Sequence, residues 1–296
     1  MSNILISGLV NVETSTAVQS FPVSYCPIEY PFFGVNVEVG GVGYNVAKAM
    51  KTLGDEVRLC GFLGNDLPGK AIETALKEEG IADNYLRKEL QMTPTSTILF
   101  DAEGKRKIYC DLKDIQDRSY PISDELFENI DCAVLTNINF SRSLIQEAKR
   151  RGIPVATDVH AIGSFDDSYN QEFLENADIL FFSNACFEGR ESEAIMECSA
   201  RFHNKIIVVG SGEKGALLFR DDEQAFFVAP SKKVRPIVST VGAGDALFSC
   251  FLHFYLKGET PESALTKATW FAGYKIGEAS ASKGFLDENE LRRLMG

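Results

Sequence analysis

The segment Thr240-Val-Gly242-Ala243-Gly244-Asp245 brings together residue types suited to transferring a phosphoryl group. Glycines 242 and 244 free the backbone N–H groups to converge at the head of the apolar run Ala-Leu-Phe-Ser-Cys-Phe-Leu, which reads as a helix. A helix N-terminus favours negative charge, so these amides form an expected anion hole. Asp245 falls in the first turn, where its carboxylate stays ionised beside the same hole. A positioned hydroxyl, a base for its proton and donors for the developing charge are what phosphoryl transfer requires. Taken alone, the motif is equally compatible with a tight loop followed by a capping acid.

Two other glycine clusters imitate nucleotide sites. Gly64-Asn-Asp-Leu-Pro-Gly69-Lys70-Ala71 comes close to a P-loop, but it ends in Ala where a magnesium-binding hydroxyl is needed, and Pro68 deletes a backbone donor. It reads as a strand-to-helix loop with a surface lysine. Gly210-Ser211-Gly212-Glu-Lys214-Gly215 follows the strand-like KIIVV and fits G-x-G-x-x-G. The next residues, Ala-Leu-Leu-Phe-Arg, continue as a strand, so no helix opens there to receive a pyrophosphate. A nicotinamide-dependent oxidoreductase is therefore the weaker reading, although this glycine turn could still lie against a nucleotide.

These motifs need a scaffold, and the hydrophobic pattern supplies one. Short β-rich runs alternate with amphipathic stretches. ILISGLV (4 to 10), VRLCGFLG (57 to 64), CAVLTNI (132 to 138), IPVATDV (153 to 159), ADILFFS (177 to 183) and KIIVVG (205 to 210) read as strands. Helices are expected at 42 to 54, 68 to 80, 141 to 152, near 170 to 176, near 188 to 201, from the Gly-rich turn to 258, and at 261 to 277. Such alternation predicts an α/β fold with a doubly wound, mostly parallel sheet and helices on both faces. Residues 11 to 39, with no convincing helix, and the hairpin-like TSTILFDAEGKRKIYCDL around Asp101-Ala-Glu-Gly104 break the rhythm. Together, as roughly 11 to 39 and 93 to 113, they are expected to form a small β-sheet lid on a single domain spanning 1 to 296.

Composition narrows the classes. A net charge of −12 argues against a nucleic-acid surface. No run approaches the length of a membrane span, and the N-terminus lacks a basic leader, so a cytoplasmic protein is expected. The seven cysteines contain no C-x-x-C pair, and the three histidines are scattered, which reads as reduced core thiols with no structural zinc site.

A second motif upstream sharpens the reading. Gly40-Gly41-Val-Gly43-Tyr-Asn45-Val-Ala47, followed by Gly61-Phe-Leu-Gly64-Asn-Asp66-Leu-Pro-Gly69, resembles the N-terminal signature of the ribokinase-like (PfkB) family of carbohydrate and nucleoside kinases. The Thr240 to Asp245 segment resembles that family's C-terminal signature, D-T-x-G-A-G-D. The resemblance covers essentially the whole chain. It implies ATP and Mg2+, Asp245 as catalytic base, and the amides of Gly242, Ala243 and Gly244 as the anion hole. It places Asn11, Glu13, Gly41 and Asn45 against the sugar, with Glu13 one methylene longer than the usual Asp. It lays Asn184, Ser211, Gly212, Lys214, Gly215, Thr240 and Gly273 along the nucleotide. Glu188 is implied near magnesium through water and phosphates, one residue off the N-x-x-E spacing. Ser239 stands where Asp is usual, which leaves dependence on a monovalent cation open. Gly210 replaces a common Thr, and Gly273 stands where some members place Asn.

The expected substrate is a free pentose or hexose. The aromatics Phe21, Tyr25, Tyr30, Phe32 and Phe33 near the lid keep a nucleoside as the alternative. A catalytically silent sugar or nucleotide sensor on the same fold is a further alternative. A homodimer formed through an exposed lid edge is also expected.

Overall fold

The computed structural model describes residues 1–103 and 105–296; Gly104, in the turn assigned to the lid hairpin, lies outside the described residues. The chain opens with β1 (Asn3–Ser7), β2 (Asn11–Ala17), β3 (Val35–Gly40), α1 (Val42–Leu53), β4 (Glu56–Gly64) and α2 (Leu67–Glu78). Then come β5 (Leu86–Leu90), β6 (Thr95–Phe100), β7 (Arg106–Asp111), α3 (Asp124–Phe127), β8 (Cys132–Leu135), α4 (Arg142–Arg150), β9 (Val155–Ala161) and α5 (Gln171–Asn176). The chain continues with β10 (Ile179–Ser183), α6 (Glu191–Phe202), β11 (Ile206–Gly210), β12 (Ala216–Arg220) and β13 (Ala225–Ala229). It closes with α7 (Ala243–Leu256), α8 (Pro261–Lys275) and α9 (Glu288–Met295).

Nine strands form one sheet in the order β13-β12-β11-β10-β9-β8-β1-β4-β5. All neighbours from β11 to β5 run parallel, while β12 and β13 close one edge antiparallel. Central strands such as Cys132-Ala-Val-Leu are apolar throughout because helices cover both faces. Strand alternation divides β1 between two cores: Ile4 and Ile6 pack into one with α1, α2, α7, α8 and α9, and Leu5 into the other with α3 to α6. The doubly wound expectation is thus met. Among the described residues no helix is long and apolar enough to cross a membrane, and all seven cysteines are unpaired.

A second sheet, ordered β3-β2-β6-β7, comes from the two stretches that break the alternation. Only parts of those stretches are strands. Residues 18 to 34 form none, despite their aromatic content, because Pro22, Pro27 and Pro31 each remove a ladder donor. Tyr25, Tyr30, Phe32 and Phe33 all project into solvent.

Candidate active site

The site is built where α7 begins. Residues 245 to 254 of α7 are buried on every side, and Phe181 of β10 packs edge-on against Phe248 and Phe251 at centroid distances of 4.9 and 5.2 Å. A helix held this firmly fixes its first turn. Gly242 caps it in the left-handed region at φ 77°, and a side chain at that position would run into the Ala281 carbonyl. Four N–H groups at a helix start lack intrahelical partners. Here the Ala243 N–H turns to the Thr240 carbonyl at 3.2 Å, whereas those of Gly242, Gly244 and Asp245 have no acceptor among the described residues. The free donors are therefore shifted relative to the Gly242, Ala243, Gly244 set expected from sequence.

Asp245 itself is 8 % exposed. Its Oδ2 accepts a 2.7 Å hydrogen bond from Asn45 Nδ2 of α1. That contact between residues 200 positions apart depends on glycine: Gly43 lies so close to Gly8 at the end of β1 that a Cβ on it would sit 2.7 Å from the Gly8 carbonyl. Bare backbone on both partners lets α1 start deep enough to deliver Asn45. Burial raises the Asp245 pKa, and the nearby His160 charge and the Asn45 hydrogen bond oppose that rise.

Glu13 on β2 comes to the same place. Its carboxylate lies against Gly40, and burial together with the Asp245 charge pushes it up to about 7, against the pull of the Gly41 amide. Asn11, at the start of β2, donates from Nδ2 to Ser96 Oγ at 2.7 Å. The Oδ1 atoms of both Asn11 and Asn45 are buried without any donor. Buried polar atoms are seldom left unpaired. Two orphaned acceptors beside a carboxylate suit a ligand rich in hydroxyl groups. So Asn11, Glu13, Gly41, Asn45 and the 242 to 245 turn are brought together.

Sequence reasoning missed three members of this neighbourhood. Asp158 and His160, at the end of β9, form a pair with Nδ1 3.5 Å from Oδ2. Burial works against the His160 charge, but Asp158 overcomes it and lifts the imidazole to about 9. Lys275, at the end of α8, donates to the Val241 carbonyl. Nothing local in the sequence marks these residues, since each acts across the fold. The lid adds Arg106 of β7, whose Nη1 donates to Thr240 Oγ1 at 3.3 Å.

The nucleotide-side residues are spread more widely. Ser211 to Gly215 form a tight turn between β11 and β12, closed by the Ser211 N–H on the Gly215 carbonyl at 2.8 Å. Lys214 reaches Glu188 at 3.2 Å, and both are largely exposed. Asn184 does not meet Glu188. Its Nδ2 donates to Glu191 Oε1 at 2.8 Å, so the Asn–acid pair joins the end of β10 to the first turn of α6. Gly273 is buried within α8, facing the Lys232 carbonyl. No group of three or more His, Cys, Asp or Glu among the described residues is arranged to hold a metal ion, so a divalent ion here would have to share its shell with phosphates and water. The P-loop look-alike is closed to anions, because Asp66 caps α2 with its own carboxylate, accepting from Gly69 N at 3.0 Å and Thr93 N at 2.8 Å.

Between lid and body lies a cavity of about 540 Å³ whose walls include Glu13, Glu38, Asp101, Glu103 and Glu278 against Arg106 and Lys283.

The family model described as "pfkB family carbohydrate kinase" matches residues 1–288. The bifunctional protein HldE of Pasteurella multocida is 26% identical over 264 residues, covering 83% of this chain. The chain spans about half of that relative's length, 54%. The 5-dehydro-2-deoxygluconokinase of Clostridium perfringens is 24% identical over 285 residues, covering 84% of this chain and 81% of the relative. Among solved structures, a microbiome-derived acarbose kinase superposes with a TM-score of 0.87 at 24% identity, covering 99% of this chain and 98% of the other. Arabidopsis thaliana ribokinase complexed with ribose and ATP gives 0.82 at 22% identity, covering 100% and 99%.

Proposed function

The chain belongs to the pfkB family of carbohydrate kinases, and from that premise we propose that it transfers the terminal phosphoryl group of ATP to a hydroxyl of a small, uncharged sugar, a pentose or hexose. One observation carries the reading. A buried carboxylate, Asp245, is held 2.7 Å from Asn45 on the same helical turn that presents unclaimed amides.

In this reading the orphaned Oδ1 atoms of Asn11 and Asn45, with Glu13, accept hydrogen bonds from sugar hydroxyls and orient one of them toward Asp245. Asp245 takes that hydroxyl's proton as the oxygen attacks phosphorus. Burial has already raised the carboxyl's proton affinity, which suits it to the task. The amides of Gly242, Gly244 and Asp245 receive the charge spread over the transferring oxygens. The His160 imidazolium and Arg106 add positive potential to an otherwise acidic wall. Lid closure, with Arg106 reaching Thr240, excludes the water that would otherwise compete for the phosphoryl group. Mg2+ bound to the nucleotide would supply charge neutralisation, and Asn184 and Glu191, joined by their hydrogen bond, would hold its waters.

The charge of the neighbouring cavity, which Glu13 lines, favours an uncharged substrate. The cavity's five carboxylates outnumber two cations, and Lys283 is already paired with Glu38. Sugar acids and sugar phosphates would meet repulsion there. A nucleoside is the second reading, favoured by the exposed aromatics of residues 25 to 33. The lid's edge strands, with Val35 and Val37 on β3 and Ile108 and Tyr109 on β7 exposed, are the surface through which two copies would pair.

A coupled assay for ADP release over neutral sugars, sugar acids, sugar phosphates and nucleosides tests the assignment. ADP release with a neutral sugar is the expected result. Turnover confined to nucleosides would replace the sugar reading, and ligand binding without any ADP would point to a sensor.

A further inference from the structure

Lys275 is the only lysine or arginine among the described residues whose side chain is fully buried. Its ammonium meets a neutral peptide oxygen, the Val241 carbonyl, and forms no ion pair within 4 Å among the described residues. Burying an ammonium without a close carboxylate is costly, and an apolar side chain of similar length would fill the same space more cheaply. A charge retained in such a place calls for a role that needs charge.

The surroundings indicate which role. The end of α8 grips the loop leading to Gly242 at three points. The Val238 and Ser239 N–H groups donate to the Ile276 carbonyl at 2.9 and 3.1 Å, and Lys275 holds Val241. Val241 immediately precedes the cap of α7 and lies four residues before Asp245. Residues 237 to 244 contain no acidic side chain, so this loop offers a cation only peptide oxygens and hydroxyls. The charged groups around the ammonium are Asp245 from α7, Glu278 just beyond α8, Arg106 from the lid and Arg235 from the preceding loop. Burial lowers Lys275 to about 8, with Asp245 and Glu278 acting to keep the proton.

We infer that Lys275 is a positioning residue whose ammonium does the work of a bound monovalent cation. It fixes the Val241 carbonyl, and with it the direction of the Gly242 to Asp245 amides, so that the protein needs no dissolved potassium. The inference rests on the kinase reading, and it answers the question that Ser239 raises about cation dependence.

The test compares wild type, Lys275→Ala and Lys275→Met in potassium, sodium and choline chloride. Wild-type kcat is expected to be equal in all three salts. Lys275→Ala should lose roughly 100-fold in kcat, the size of one lost transition-state donor, with the sugar KM little changed. Potassium or methylammonium should restore part of that loss and choline none. Lys275→Met should stay slow in every salt, because its side chain occupies the vacated space. Full activity of Lys275→Ala in choline, or a wild type that requires added potassium, would overturn the inference. The melting temperatures of the same proteins in the same salts need no turnover. A potassium-dependent rise confined to Lys275→Ala supports the role, and an equal response in wild type and variant contradicts it. A wild type that phosphorylates nothing on the panel counts against the kinase reading, while the melting comparison still decides Lys275.

Discussion

Asp245 and Glu13 share a buried pocket: burial raises the proton affinity of both, and the Asp245 charge raises that of Glu13 further. The base must be ionised to act, so kcat/KM should climb with pH through the acid range and reach its plateau only as this pair has lost its protons. Glu13→Gln removes the carboxyl of the pair that is pushed up to about 7. The acid limb of the profile should then move to lower pH, while the sugar KM rises by roughly tenfold, about 1.4 kcal/mol of lost binding. An unmoved acid limb would separate the two carboxylates. On the alkaline side Lys275 loses its ammonium as the pH rises through about 8, so kcat should fall there in wild type. Arg106→Ala removes the lid's contact with Thr240, and kcat should drop by roughly tenfold with the fold intact. A variant with unchanged kcat would leave Arg106 outside the site.

At the level of elements, the contacts that matter are those where backbone meets backbone. A Cβ on Gly273 would lie 2.0 Å from the Lys232 carbonyl, so Gly273→Ala must push the 232 loop off α8. A cost of about 1–3 kcal/mol is expected for such overpacking, readable as a lower midpoint in urea, and an unchanged midpoint would show that the loop yields freely. Such close approaches are also where sequence reading succeeds and fails. The glycines at 41, 43 and 242 mark the starts of α1 and α7, because a positive φ at 41 and 242 and a backbone contact at 43 leave little room for other residues. The edge strand β5, Leu-Arg-Lys-Glu-Leu, went unread since its exposed charges hide its pairing with β4. The capping box between Asp287 and Glu290 that opens α9 is written in the sequence as an acid three residues before a Glu. Local spacing tied Asn184 to Glu188, whereas the 3₁₀ turn after β10 carries the chain on to Glu191. Asp158, His160 and Lys275 could not be read at all, because only the packing of β9 and α8 around α7 brings them to the site.

For the molecule as a whole, the doubly wound sheet provides a rigid floor, and the four-stranded sheet brings Asn11, Glu13 and Arg106 over it. In the proposed reading the lid grips the acceptor and the body the phosphoryl group, so chemistry would require both to meet. Among these relations one can be isolated with a single atom change: Asp245→Asn keeps the shape and the bond to Asn45 but removes the base. The measurement is single-turnover ADP formation with a neutral sugar that the wild type phosphorylates, compared at equal saturation by sugar and ATP. The account predicts a rate lower by roughly 10²–10⁴-fold, the range of general-base catalysis, with sugar affinity retained. A variant that turns over at the wild-type rate would contradict it.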